Sequence, residues 1–165
     1  MALPFELKTP RDVLAKAKRE LDVLRSAIAA QDKSRIGEAL YNFSVTAYHV
    51  KDWLIEQPGA AYTKQEVEDY VRNDRSLSTC RDLCNSNKHK NITKYVPDAI
   101  ETTASALSTI KVSDQSTVNQ VPLYTTSTPP FRVKVILSDG KRLEAVQLAE
   151  EILRTWEAFL LKHGI

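Results

Sequence analysis

The sequence has few of the residues that mark several common classes of protein. Its 165 residues include two cysteines, four glycines and one methionine, and 7% of them are aromatic. So few cysteines exclude a disulfide-stapled fold, and so few glycines leave little scope for a glycine-rich phosphate-binding loop. No apolar run approaches the roughly 18 residues of a membrane-spanning helix. The hydrolase patterns G-x-S-x-G and H-E-x-x-H are also absent.

The net charge and the cysteine positions bear on the binding partners and on the cellular location of the protein. The net charge is only +2, so any basic surface has to be local. The first ten residues lack the basic start and apolar core of a signal peptide. Cys80 and Cys84 are four residues apart, a spacing that disfavours a disulfide within a helix. We therefore expect reduced thiols, a cytoplasmic location and no membrane association.

Apolar spacing of three and four residues predicts four helices in the first half of the chain. The first two carry long apolar seams separated by a short polar loop, so they should pack as an antiparallel hairpin. Capping residues stand before the first three helices. The first helix begins at Thr9-Pro10, and its apolar seam reaches Ile28. The second follows Asp32 from about Lys33 to Glu56, the third runs from Lys64 to about Asn73 and the fourth from about Arg75 to Lys88.

The second half of the chain changes character. Residues 101 to 128 hold 12 Ser or Thr and few large apolar side chains, which indicates an extended or loop-like segment. Alternation over residues 131 to 137, followed by an Asp139-Gly140 turn, predicts a β-hairpin that returns through residues 142 to 144. Residues 118 to 126 are a candidate third strand. A last helix should run from about Ala145 to His163 and end at Gly164.

The predicted fold is mainly α. We expect an antiparallel bundle of about five helices, with a small β-hairpin or three-stranded sheet before the C-terminal helix. The chain should form a single domain over residues 1–165, with the bundle formed by residues 9–91 and 145–163 and with residues 101–144 as an insertion.

The end of the fourth predicted helix has an unusual composition for a helix surface. Arg81, Asn85 and Lys88 follow one another at helical spacing, and His89 lies on the adjacent stripe. Arg81 can bind a phosphodiester with its forked donors, Asn85 and Lys88 can contact the substrate, and His89 can act as a general acid or base. Alternatively, Asn85 helps to end the helix, and the cations at residues 88–90 neutralise its negative end.

Two further sets of residues are weaker candidates. His49 and Asp52 are three residues apart on the second predicted helix. Asp52 can orient His49, which would then support the main site from behind, or the two form an exposed pair with no task. Cys80, Cys84 and His89 have a spacing unlike that of structural zinc sites, and the cysteines take core-like helical positions. We expect no metal and no cofactor.

The segment that begins at Arg81-Asp82 and ends at His89 resembles the motif of the HEPN superfamily, in which an Arg, usually followed by a polar residue, precedes a His. Seven residues lie between Arg81 and His89, a longer spacing than in that family. The similarity covers about Pro10 to Asn91. It implies a small helical bundle, often dimeric, and in many members a metal-independent ribonuclease of toxin or phage-defence systems. Other HEPN-like proteins serve as binding or assembly modules.

Two functions are therefore expected. The first is a HEPN-like RNA-acting protein, either a ribonuclease or a regulator derived from one, with RNA and a second copy of the chain as partners. Arg81 would bind phosphate and His89 would transfer the proton. The second is a non-enzymatic interaction or assembly module. Convergence of Arg81 and His89 on a shared cleft would favour the first, and an internal salt bridge of Arg81, with His89 facing solvent, would favour the second.

Overall fold

A computed structural model describes residues 7–88, 99–106 and 131–165. For residues 86–88, 100–101 and 103–106 it describes the backbone alone. The fold is mainly helical, with a small antiparallel sheet before the C-terminal helix, as the sequence predicts. The elements, in chain order, are α1 (Pro10–Ala29), α2 (Lys33–Ile55), α3 (Lys64–Asn73), α4 (Arg75–Lys88), β1 (Ala99–Ala106), β2 (Phe131–Leu137), β3 (Arg142–Glu144) and α5 (Ala145–Lys162).

Local hydrogen bonds explain where the helices begin. The Thr9 hydroxyl accepts the N–H of Asp12 at 3.2 Å, and the Asp12 carboxylate accepts the N–H of Thr9 at 2.8 Å, which forms a capping box at α1. Thr63 and Glu66 form the same pair at α3. These reciprocal bonds satisfy amides that a helix leaves unpaired at its start. The predicted starts of α1 and α3 are confirmed.

The apolar seams of α1 and α2 meet as an antiparallel hairpin and form one side of the core. Leu24 on α1 and Phe43 on α2 are fully buried, as predicted for seam positions. α5 lies at the centre, where it contacts α1, α2, α4 and the sheet. Its Trp156 and Leu160 are fully buried. Burial from several sides explains why the apolar face of α5 is wider than a simple seam.

The sheet has the order β1-β2-β3, and both pairs are antiparallel. The inward residues of β2, Val133, Val135 and Leu137, are buried, and the Asp139-Gly140 turn joins β2 to β3 as predicted. Gly140 has a φ of 79°, a value that favours glycine over other residues. The candidate third strand at residues 118–126 lies outside the described residues. The third strand in the structure is β1, whose small and polar residues gave no alternation to detect it by.

Candidate functional site

α4 carries the residues on which the sequence analysis placed its main site. Asp74 begins the helix, because its carboxylate accepts the N–H of Leu77 at 2.9 Å. The inner side of α4, formed by Leu77, Cys80, Leu83 and Cys84, is buried, and the core-like positions predicted for the two cysteines are confirmed. The thiol of Cys80 donates to the carbonyl oxygen of Ser44 on α2 at 3.5 Å. This packing fixes the rotation of α4 and places Arg81 at the rim of the buried side.

The side chains of Arg81 and Asp82 interact directly although the two residues are adjacent in the chain. The Nε and Nη2 atoms of Arg81 donate to Oδ1 of Asp82 at 3.1 and 3.0 Å. The Arg81 side chain is 24% exposed, whereas that of Asp82 is 0% exposed. A buried carboxylate requires such a partner, because removing it from water without one is costly. Arg81 therefore lies partly exposed at the surface, and the buried carboxylate of Asp82 fixes the orientation of its guanidinium.

Asp82 also joins the helix to the sheet. Its second oxygen, Oδ2, accepts the backbone N–H of Ala99, the first residue of β1, at 3.3 Å. One carboxylate thus positions a guanidinium and the start of a strand at once. The sequence analysis gave Asp82 no separate role. Its burial was not evident from the sequence, because an aspartate is rarely buried without a partner and the position of β1 beside α4 is a tertiary contact.

The other residues of the predicted stripe follow Arg81 along the same helix. Asn85 is half-buried one turn after Arg81. Lys88 is the last residue of α4, and its side chain lies outside what the structure describes. α4 is helical through Lys88, so Arg81 and Lys88 are about 10 Å apart along the axis. His89 lies outside the described residues, and its convergence with Arg81 stays a prediction.

His49 and Asp52 both lie exposed on α2. Oδ1 of Asp52 is 3.4 Å from Nζ of Lys51, which also lies 4.9 Å from the centre of the Tyr48 ring. Among the described residues, no hydrogen bond joins His49 to Asp52. The residue of α2 that bonds to α4 is the buried Ser44, whereas His49 and Asp52 are exposed. A supporting role for His49 and Asp52 stays a prediction.

The two cysteines are free thiols inside the core. Cys80 and Cys84 are both buried, and burial raises the pKa of the Cys80 thiol far above its ordinary value. Nucleophilic attack and metal binding require the thiolate, so Cys80 is poorly suited to either. Within residues 7–88, 99–106 and 131–165, no group of three or more His, Cys, Asp or Glu side chains could hold a metal ion.

A cleft of about 430 Å³ between α3 and α5 was not anticipated from the sequence. Its carboxylates already have structural tasks. Glu66 caps α3, Asp69 pairs with Arg72 at 3.0 Å and Asp74 caps α4. The signal for this cleft is the aromatic side chains that α3 and α5 contribute to one end of the bundle. The lining residues are Glu66, Asp69, Tyr70, Asn73, Asp74, Phe159, Lys162 and His163.

No helix in the part of the chain that the structure describes has both the length and the apolar character to cross a membrane. Comparison of the chain with protein-family models, with curated proteins and with solved structures found no match. Any function has to follow from the residues of the chain themselves. Among the described residues of the predicted site, the Arg81–Asp82 pair on α4 has the most fully defined contacts.

Proposed function

We propose that the chain is a HEPN-like protein that acts on RNA through one surface of α4. Arg81 binds a phosphate of the RNA and His89 transfers the proton. Asn85 and Lys88 contact the substrate beside them. The observation that supports this assignment is the guanidinium of Arg81, which is partly exposed and held in place by the buried carboxylate of Asp82. A cation with a fixed orientation stabilises a developing charge without the cost of reorganisation.

The proposed reaction is cleavage by the 2′-hydroxyl of the RNA. A base removes the proton from the 2′-hydroxyl, the 2′-oxygen forms a bond to phosphorus, and the bond to the 5′-oxygen breaks. The departing oxygen takes up a proton, so the products are a 2′,3′-cyclic phosphate and a 5′-hydroxyl. His89 supplies the acid or base, and Arg81 stabilises the negative charge on the phosphoryl oxygens. This route requires no metal ion.

We propose a homodimer as the active form. α4 continues as a helix through Lys88, and the axial separation of Arg81 and Lys88 is about 10 Å. His89 follows Lys88, so we infer that Arg81 and His89 of one subunit do not contact the same scissile phosphate. A twofold arrangement would bring Arg81 of one subunit near His89 of the other. Each dimer would then hold two equivalent sites.

The same Arg81–Asp82 pair supports a second candidate, a non-enzymatic interaction or assembly module. The internal salt bridge of Arg81 is one of the two features expected for that module, and the other, His89 facing solvent, lies outside the described residues. Arg81 neutralises a buried carboxylate that ties β1 to α4. That is a complete structural task, and it requires no substrate. In this alternative the polar surface of α4 binds a protein partner or only ends the helix. It shares the fold and the dimer with the first proposal, so catalysis is what separates the two.

The test is cleavage of single-stranded RNA by the purified protein in excess EDTA, with His89→Ala and Arg19→Ala at matched purity. Arg19 is an exposed cation of α1, so its variant controls for surface charge and for contaminating nuclease. Cleavage by the wild type and by Arg19→Ala, but not by His89→Ala, supports the ribonuclease. Equal cleavage by all three proteins would show that His89 does not transfer the proton. Cleavage by none favours the interaction module.

A further inference from the structure

The outward face of the sheet carries three cationic residues close together. Arg132 and Lys134 alternate with the buried Val133 and Val135 on β2, so they lie on the side of the sheet that faces away from the helices. Arg142 on β3 pairs with Ile136, the next outward position of β2. Arg132 and Arg142 are exposed and Lys134 is half-exposed. Three positive charges therefore share a small area of one sheet face.

Among the described side chains, these three cations differ from many others because they form no ion pair with a carboxylate. Lys18 and Arg25 form ion pairs with α5, and Arg75 pairs with Asp139 at 2.8 Å. Within the side chains that the structure describes, none forms an ion pair with Arg132, Lys134 or Arg142. Two acidic residues share this face in the register: Glu101 on β1 is opposite Ile136, and Glu144 on β3 is opposite Lys134. The carboxylate of Glu144 caps α5 by accepting the N–H of Gln147 at 3.0 Å.

The spacing of the three positions suits an extended anion. Outward neighbours on one strand are about 7 Å apart, and diagonal neighbours on adjacent strands are about 7–8 Å apart. Arg132, Lys134 and Arg142 thus form a row across β2 and β3. Like charges held this close repel one another, and a bound polyanion removes that repulsion. A chain of phosphates contacts several such cations at once.

The residues beside the cations favour a nucleic acid over an acidic protein. On β1, Thr103 is opposite Lys134 and Ser105 is opposite Arg132 in the register. Thr and Ser are residue types that often contact phosphate and sugar together with Lys and Arg. Ile136 is the only large apolar residue among the outward positions of β2. A protein interface normally requires larger apolar anchors at its centre.

We infer that the outward face of the sheet is a binding surface for the phosphate backbone of single-stranded RNA. This inference rests on the proposed function, because it assigns a surface that holds the same RNA while α4 acts on it. The contacts are to phosphate, so binding depends on salt and little on base sequence. Arg132, Lys134 and Arg142 are the contact residues, and they are separate from the residues of α4.

The test is fluorescence anisotropy with a 2′-O-methylated single-stranded RNA over a range of KCl concentrations. This RNA has no free 2′-hydroxyl, so binding is measured whether or not the protein cleaves RNA. The site variant combines Arg132→Gln, Lys134→Gln and Arg142→Gln. The control variant combines Arg11→Gln, Arg19→Gln and Lys33→Gln, which changes the net charge equally at exposed positions of α1 and α2. Thermal melting of both variants verifies that they fold.

We expect the site variant to bind on the order of 100-fold more weakly at about 0.1 M salt, with a salt slope shallower by about 2, and the control to bind like the wild type. Equal weakening in both variants would overturn the assignment, because net charge alone would then explain binding. Absence of binding by the wild type would overturn it as well. Binding without cleavage of unmodified RNA would support this binding surface and would count only against the proposed ribonuclease activity.

Discussion

Arg81 donates two hydrogen bonds, of 3.1 and 3.0 Å, to one carboxylate oxygen of Asp82, while the other oxygen of that carboxylate accepts the N–H of Ala99. The pair therefore connects the surface of α4 to the first residue of β1. It gives Arg81 a fixed orientation, and it makes that orientation depend on a residue that no substrate can reach. A change at Asp82 should accordingly affect both stability and the proposed site.

Replacement of Asp82 by Ala should lower the free energy of unfolding by about 3 kcal/mol. The substitution removes the carboxylate that accepts hydrogen bonds from the partly buried guanidinium of Arg81 and from the backbone amide of Ala99. Urea denaturation measures the loss. Asp52→Ala is the matched control, because Asp52 is exposed and its removal should change stability by less than about 0.5 kcal/mol. Equal stabilities of the two variants would show that the Asp82 contacts contribute little.

Acid should weaken the contact between the hairpin turn and α4. The hydrogen bond from Arg75 holds the pKa of Asp139 well below its ordinary value of 3.8. A carboxyl group whose pKa is lower in the folded state contributes stability above its unfolded pKa, and that stability is lost as pH falls through the folded pKa. Stability should therefore decrease below about pH 4 in the wild type.

Asp139→Asn should show a smaller loss of stability on acidification than the wild type, because it cannot be protonated. Urea denaturation at pH 6 and at pH 3 gives the difference for each protein. Asp52→Asn, with an exposed carboxylate on α2, is the control for removing one acidic group. If the acid-dependent loss is the same in Asp139→Asn as in the wild type, the Arg75–Asp139 contact is not what acid disrupts.

The thiols of Cys80 and Cys84 should resist modification in the folded protein. Both are buried, and burial raises the pKa of Cys80, so little of its reactive thiolate forms at neutral pH. A thiol reagent such as Ellman's reagent should label the native protein slowly and label two thiols at once in denaturant. Rapid labelling without denaturant would show that this side of α4 opens readily to solvent.

The fold could be predicted from the sequence largely because its helices have strong local signals. Thr63 and Glu66 are three residues apart and mark the start of α3 without reference to the rest of the chain. The Asp139-Gly140 turn likewise marks the hairpin between β2 and β3. β1 was missed as a defined strand because AIETTASA has neither branched apolar residues in alternation nor a turn signal. β1 is defined by its pairing with β2, a tertiary contact that local sequence does not reveal.

The candidate site was less predictable than the fold. The sequence indicated that Arg81 and Asn85 lie on one stripe, since helical spacing alone decides that. It did not indicate that Asp82 is buried or that it bonds Arg81, because burial depends on where β1 meets α4. The exposure of His49 also depends on tertiary packing, here on which face of α2 approaches α4. Spacing predicts which residues share one face of a helix, whereas the burial of that face depends on the elements that pack against it.

The most direct measurement is the chemistry of the RNA ends formed by the protein in excess EDTA. Attack by the 2′-hydroxyl leaves a 2′,3′-cyclic phosphate and a 5′-hydroxyl, which mass spectrometry of the fragments identifies. We predict these ends for the wild type and no cleavage for His89→Ala, with the melting temperature unchanged. Ends with a 5′-phosphate, or the same cleavage by His89→Ala, would contradict proton transfer by His89 at a site on α4.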